Sequence, residues 1–328
     1  MGAATTLHSE STKDACGFPR ASLALDIGGT KIAGAVVSNE PGAAPRITVC
    51  ETVPTEASRG GEAVLATVVE LAKKLAAAAG EPLAGIGVST AGRVDANDGS
   101  IAYANEIMPG WTNQPVRKAL EEALGIPAAV LNDVQAHALG EARWGAGRGA
   151  QTCIVVAAGT GLGGGIIARG RILRGMHGFA GEIGCTPNPL GSATLGADDG
   201  IVDLEMVAAG AGIERCYRNL TGKALTGAEI SQAAATGEED ARRIIRQAGY
   251  ALGVALAGWT SMLDPELVIL SGSVAKAGAL WRDAVDEGFT NRISPVQADL
   301  PIVDAQLGGD APLVGATEFL FDALASDR

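Results

Sequence analysis

Residues Leu23 to Val37 read LALDIGGTKIAGAVV, and Ile154 to Ala168 read IVVAAGTGLGGGIIA. Each is an apolar, β-branched run, a Gly-Thr turn and a second apolar run, the pattern of a β-hairpin. One or two glycines satisfy a tight hairpin turn. The surplus here points to a ligand, because glycine lets backbone N–H groups approach an anion with no Cβ in the way. The threonines add hydroxyl donors. Asp26 precedes the first turn, whereas Ala157 and Ala158 hold the matching places before the second. A nucleotide polyphosphate needs one side that orders its divalent cation and another that supplies neutral donors, so the pair reads as a phosphate clamp with Asp26 on the cation side.

Two rival phosphate motifs fall away. Gly159, Gly161 and Gly164 satisfy G-x-G-x-x-G, but the dinucleotide fingerprint must open a helix, and this stretch runs into the β-branched GIIARGRIL. A G-x-x-x-x-G-K-[ST] loop is found nowhere in the chain. For chemistry, Asp133 is the candidate general base. It follows the apolar AAVLN run and precedes a helical pattern, so its carboxylate projects from a rigid element. The competing reading of Asp133 is a helix N-cap, where Asn and Asp are favoured.

The elements that position these groups alternate along the chain. Arg46 to Pro54 reads as a third strand, and Gly61 to Ala79 as a helix with Val64, Val68, Leu71 and Leu75 on one face. Leu83 to Asp95 reads as a buried strand ending in a glycine-containing loop, Trp111 to Leu124 as a helix, and Ala128 to Leu131 as a short buried strand. From Val134 the pattern repeats: a helix to about Trp144, the second hairpin, a loop region from Arg174 to Gly200, and helices to about Trp259. Then come the apolar strand Leu267 to Gly272 and a closing helix, Pro312 to Leu324. The expected fold is therefore α/β, in two similarly built halves with a cleft between them. The expected boundaries are a disordered tail at 1–20, a small domain at 21–131 plus 312–328, and a large domain at 132–311.

Composition sets limits. At 328 residues the chain buries a substantial core, and its 46 glycines and few aromatics suit an α/β enzyme of tight turns. A formal charge of −12 argues against a nucleic-acid surface. The five cysteines are widely spaced with no C-x-x-C pair, as in a reducing compartment. The first twenty residues lack a signal peptide's apolar core, and no stretch offers eighteen uninterrupted apolar residues. A cytoplasmic protein is expected, without membrane or nucleic-acid partners.

Over Leu23 to about Leu324 the chain resembles the ROK family (repressors, open reading frames, sugar kinases) of the actin-like ATPase superfamily. The segments that carry the resemblance are DIGGTKIAG, STAGRVD, NEIMPGW, LNDVQAHALGEARWGAG, AAGTGLGGGII, HGFAGEIG and VILSGSVAKAG, in this order and spacing. The resemblance implies two actin-like (ribonuclease H-like) domains and an ATP-dependent sugar kinase with Asp133 as base toward the sugar 6-hydroxyl. It implies that Asn132 and Asn105 bind sugar hydroxyls, with Gly92 at the pocket wall and Glu182 near the anomeric side. Gly28, Gly29, Thr30 and Lys31 would hold phosphates together with Gly159, Thr160 and Gly161, and Gly272 would lie near the adenosine. Mg²⁺ arrives with the nucleotide, and a homodimer is the expected state. Asn105, Asn132, Asp133 and Glu182 supply both donors and acceptors, as discrimination among sugar hydroxyls requires.

The chain departs from the family at one point. Many ROK proteins bind structural zinc through a histidine after G-E-x-G and the cysteines of a following C-x-C-G-x-x-G-C-x-E segment. Here the histidine position is Cys185, and TPNPLGSATLGADDGIVDLEMVAAG contains no cysteine, with Glu205 at the place of the terminal glutamate. Cys185 and His177 supply at most two of four ligands, so no structural zinc is expected. His177 reads as a loop residue and His137 as packed or exposed.

Three other functions compete with a hexose or N-acetylhexosamine kinase of glucose type. A ROK regulator needs a DNA-binding domain, and only about twenty polar residues precede the first strand. A polyphosphate-using kinase calls for a basic channel, which the acidic composition does not favour. A sugar-binding protein with weak or no kinase activity is the third.

Overall fold

The computed structural model describes residues 19–39, 43–198, 200 and 202–326. Contacts divide the chain into two compact units, one running to Asp133 and resuming at Leu313, the other spanning Val134–Pro312. The expected tail lies, up to residue 18, outside the described residues.

The first unit opens with β1 (Ala21–Ile27), β2 (Lys31–Ser38) and β3 (Arg46–Pro54), followed by α1 (Gly61–Ala78) and β4 (Leu83–Thr90). Then come β5 (Arg93–Val94), β6 (Ile101–Tyr103), α2 (Val116–Leu124) and β7 (Ala128–Asn132), before α3 (Asp133–Trp144) leads out of the unit. The main sheet has the order β3-β2-β1-β4-β7, with β1, β2 and β3 antiparallel and β1, β4 and β7 parallel. The central strands β1 and β4 are buried almost throughout, as expected of strands covered on both faces, while β3 alternates in the manner of an edge. One face carries α1 through Val64, Val68, Leu71, Ala72 and Leu75. The other receives the C-terminal helix, whose Leu313 packs on Ala24, Ala35 and Val37. That helix approaches β4 so closely that a Cβ at Gly87 would lie 2.3 Å from the Ala316 carbonyl oxygen.

The second unit contains β8 (Cys153–Ala158), β9 (Leu162–Ala168), β10 (Arg171–Ile172), α4 (Glu205–Ala208), α5 (Gly210–Thr221), α6 (Gly227–Ala235) and α7 (Glu239–Leu263). After these come β11 (Leu267–Ser271), α8 (Ala279–Thr290), β12 (Ile302–Asp304) and the start of α9 (Ala311–Ser326). Its sheet order, β10-β9-β8-β11-β12, repeats the first unit's plan: two antiparallel pairings, then two parallel ones. The core gathers the apolar faces of α5, α7 and α8 against β8 and β11. Glu141 of α3 is fully buried, and its carboxylate accepts N–H bonds from Ala146 (3.1 Å), Gln306 (3.0 Å) and Leu307 (2.6 Å). Those bonds offset the desolvation of the carboxylate and tie α3 to the segment after β12. Among the described residues no helix is long and apolar enough to cross a membrane.

Three expectations need correction. The strand read as Leu83 to Asp95 stops at Thr90, because Gly92 takes φ +90° and Arg93–Val94 folds back to pair with β6. The helix read from Trp111 begins only at Val116: Pro115 is its N-cap, and Asn113 adopts φ +69° in the preceding turn. Helix α8 is absent from the expected elements, although Trp281, Ala284, Val285 and Phe289 recur at helical spacing on its buried face, and so is β12, which has only three residues.

Candidate active site

Each hairpin turn is closed by its first glycine, over four residues in the first and three in the second. In the first, the Gly28 N–H donates to the Lys31 carbonyl at 3.0 Å, and in the second the Gly159 N–H donates to the Gly161 carbonyl at 2.9 Å. The N–H groups of Gly29 and Thr30, and of Thr160 and Gly161, have no hydrogen-bond partner among the described residues. Each turn thus presents two adjacent donors, the arrangement that binds anions. In the second unit, α5 starts beside the turn, with Gly210 and Ala211 N–H donating to the Gly159 and Thr160 carbonyls at 2.8 and 3.1 Å. Its positive end adds to the anion site. A pocket of about 530 Å³ opens here, lined among others by Gly159, Thr160, Ala211, Ser231 and Lys276. Gly272 follows β11 at φ +95°, where a Cβ would lie 2.2 Å from the Ala158 carbonyl oxygen, so only glycine fits.

Asp26 stands at the end of β1 beside the first turn. Desolvation of its carboxyl group pushes its pKa up from the ordinary aspartate value, against the opposing hydrogen bond from Ser89 and the charge of Lys31. Ser89 Oγ donates to Oδ1 at 2.6 Å, and Oδ2 has no hydrogen-bond partner among the described residues. A hard carboxylate oxygen, completed by phosphate oxygens, fits the way Mg²⁺ is held with nucleotides.

Asp133 is the first residue of α3, directly after β7. Asn132 Nδ2 donates both to Asp133 Oδ1 and to the Gly92 carbonyl, each at 2.9 Å. Gly92 also faces Tyr103 and Ala104, the residues leading to Asn105, where a Cβ on Gly92 would lie 2.8 Å from the Tyr103 carbonyl oxygen. The Asn105 side chain accepts the Ile107 N–H at 3.2 Å, which sets the following turn. Gly92, Asn132 and Asp133 are therefore brought together, and the Asn105 loop runs alongside in the same unit.

Glu182 belongs to the second unit, on the loop before the short turn Ile183–Cys185. That loop is held by Gln135 of α3, whose buried amide donates to the Gly178 and Ala180 carbonyls at 3.3 and 3.0 Å. Cys185 and His177 are both exposed, and among the described residues no group of three or more His, Cys, Asp or Glu side chains is arranged to hold a metal ion. With no cysteine or histidine between residues 186 and 204, the donor set does not fit a tetrahedral zinc. Burial pushes the Cys153 thiol up to about 12 and the Cys216 thiol up to about 11, which keeps both protonated near neutrality.

Four contributors were not evident from sequence. Ser89 is visible only once β1 and β4 lie in register, Asp26 beside Ser89. Thr55, just past β3, donates its hydroxyl to the Gly28 carbonyl at 2.6 Å and its N–H to Thr30 O at 3.0 Å. Gln135 gave no signal beyond its position two residues after Asp133. Glu205 is placed in sequence by its alignment alone, and its Oε2 accepts the Leu162 N–H at 2.7 Å just after the second turn.

The sequence model of the ROK family matches residues 22–323, and the chain belongs to that family. It is 32% identical over 312 residues to a glucokinase of Halalkalibacterium halodurans, covering 89% of this chain and 92% of that protein. Among solved structures it is similar to the ROK hexokinase of Thermus thermophilus (TM-score 0.82, 31% identity, covering 93% and 99% of the two chains). It is also similar to a ROK glucokinase of Streptomyces griseus in complex with glucose and AMPPNP (TM-score 0.71, 30% identity, 91% and 98% covered). The fold is the α/β, actin-like ATPase architecture of these kinases, its two units built on the same strand plan.

Proposed function

We propose that this protein is an ATP-dependent sugar kinase that phosphorylates the 6-hydroxyl of a hexose or N-acetylhexosamine, glucose-type sugars foremost, acting in the cytoplasm as a homodimer. The observation that carries the reading is the pair of glycine-rich hairpin turns with unpartnered N–H donors, one with a carboxylate beside it and one at the mouth of a nucleotide-sized pocket. Similarity to a glucokinase that binds glucose and AMPPNP supports the choice of ligands.

In this mechanism Asn132 orients Asp133, and Asn105 and Gly92 with Glu182 recognise the sugar. Asp133 accepts the proton of the 6-hydroxyl as its oxygen bonds to the γ-phosphorus, and the bond from that phosphorus to the bridging oxygen of ADP breaks. Thr160 and Gly161 N–H, with Gly28, Gly29, Thr30 and Lys31, hold phosphate oxygens and position them for transfer. Gly272 backs the nucleoside. Asp26 would hold Mg²⁺, which when bound neutralises phosphate charge.

The reading is tested by ADP release, coupled to a reporter, with glucose, mannose, N-acetylglucosamine, N-acetylmannosamine, fructose and allose, using ATP or inorganic polyphosphate as donor. Sugar-dependent ADP formation with at least one of them is expected. No turnover with any sugar, alongside retained sugar binding, would instead favour a binding protein.

A further inference from the structure

The segment between β6 and α2 carries Asn105, and it is firmly anchored from behind. Met108 and Trp111 are buried, the Trp111 indole N–H donates to Thr90 Oγ1 at 3.2 Å, and Thr112 Oγ1 accepts the Ala104 N–H at 2.9 Å. The Met108 N–H donates to the Asn105 carbonyl at 3.0 Å and closes a turn over residues 105–108. Inside that turn stands Ile107, an apolar side chain that is nevertheless 62% exposed.

Two contacts define where Ile107 sits. Its N–H donates to Asn105 Oδ1 at 3.2 Å, so the amide is turned with Nδ2 uncommitted among the described residues. Its Cγ2 methyl rests on the first phosphate turn: a Cβ built on Gly29 would lie 2.5 Å from that methyl, and the three atoms nearest to such a Cβ all belong to Ile107. The missing side chain of Gly29 is what admits the methyl. The flanking carbonyls are already held, because Thr55 Oγ1 donates to Gly28 O at 2.6 Å and the Thr55 N–H to Thr30 O at 3.0 Å. What the turn keeps free are the Gly29 and Thr30 N–H donors, and Ile107 is the apolar group beside them.

Water is the acceptor that competes with a sugar hydroxyl, and a kinase must hold its phosphate donor where the hydroxyl reaches it and water does not. A methyl group beside the donors offers water no hydrogen bond, and by keeping solvent off it strengthens the hold of the N–H groups on an anion. We propose that Ile107 is a positioning residue that seals the first phosphate turn against water, and that its bond to Asn105 ties the seal to the sugar. This rests on the sugar-kinase reading. A sugar hydroxyl held by Asn105 Nδ2 fixes the amide, which through Oδ1 fixes Ile107 over Gly29. Without the seal, a water oxygen bonds to the γ-phosphorus in place of the sugar oxygen and the bond from that phosphorus to the bridging oxygen of ADP breaks. ADP, inorganic phosphate and a proton are then released, and the sugar gains nothing.

The test compares wild type with Ile107→Ala, Ile107→Gln and Ile107→Val. ADP formation from ATP and Mg²⁺ is followed without sugar and with the sugar of the panel above that turns over fastest, together with sugar phosphate formed, ATP and sugar KM, and Tm. Valine keeps the Cγ2 methyl, whereas alanine and glutamine lack it, and the backbone N–H that Asn105 accepts survives in all three. A side chain so exposed contributes little to folding, so the Tm values should lie close together, and glutamine carries the test should the alanine variant not fold. Ile107→Ala and Ile107→Gln should raise sugar-free ADP formation by about fivefold or more and lift the ratio of ADP to sugar phosphate above unity, with sugar KM within about twofold of wild type. Ile107→Val should stay within about twofold of wild type in every readout. A sugar-free rate unchanged in Ile107→Ala and Ile107→Gln overturns the seal, as does a rise of the same size in Ile107→Val, and both leave the kinase reading intact. A defect confined to sugar KM overturns it too, by moving Ile107 to the sugar. Wild type that forms no ADP with any sugar of the panel overturns the kinase reading, and this inference with it.

Discussion

Ser89 and Asp26 lie side by side in the register of two parallel strands, and the Ser89 hydroxyl donates to the Asp26 carboxylate at 2.6 Å. Ser89 is fully buried, so this bond has no water to replace it. It holds Oδ1 of Asp26, and in the proposed mechanism Oδ2 is the oxygen that would take the cation. Ser89→Ala is expected to raise the Mg²⁺ concentration for half-maximal rate and the ATP KM by about three- to tenfold, with sugar KM unchanged. A shift in sugar KM at constant Mg²⁺ requirement would remove Asp26 from the cation side.

Asp133→Asn keeps the shape of the side chain and its neighbour Asn132 but removes the proton acceptor. Turnover should fall by about two orders of magnitude or more, with sugar Kd changed only modestly. A variant that retains most of its kcat would show that Asp133 merely caps α3.

His137 lies one turn after Asp133, and its Nε2 is buried with no hydrogen-bond partner among the described residues. Desolvation holds its pKa below 6.5, against the pull of the Glu141 carboxylate. The folded chain therefore binds this proton less readily than the unfolded chain. The associated stability is complete above the unfolded value and is lost as pH falls through the window beneath it. Urea midpoints should decline for wild type between about pH 7 and pH 5, and His137→Gln, which cannot take up the proton, should flatten that decline. Parallel slopes in the two proteins would assign the effect to other groups.

Chelation separates the two metals. A zinc chelator with Mg²⁺ in excess should leave activity and Tm unchanged, and purified protein should carry well under one zinc per chain. EDTA without added Mg²⁺ should abolish turnover but not folding. One tightly held zinc with Cys185 and His177 among its ligands would contradict the reading of the 186–204 segment.

Much of this architecture could be read from the chain because its signals are local. The hairpins announce themselves by apolar runs around Gly-Thr, β3 and α1 by clean periodicity, and Asp133 by its place between a strand and a helix. What escaped depends on residues far apart in sequence. Ser89 matters only through a parallel pairing, Thr55 only because β3 returns to the first turn, and Glu205 only because the fold brings it to Leu162 from far along the chain. The late start of α2 escaped for another reason: Trp111 looks like the apolar face of a helix, yet it is buried in a turn where its indole N–H donates to Thr90 Oγ1 at 3.2 Å.

The close seat of the C-terminal helix on β4 bears on how the chain is made. The first unit's central strands emerge early from the ribosome, yet Gly85 and Gly87 meet their covering backbone and side chains at Ala316 and Leu320 only when α9 has been synthesised. Until then one face of a five-stranded sheet, with its β3 edge open, has nothing of its own to rest on. Nascent chains stalled before residue 313 should therefore engage holding chaperones or aggregate, and the earliest translated half should be among the last parts of the protein to become resistant to protease.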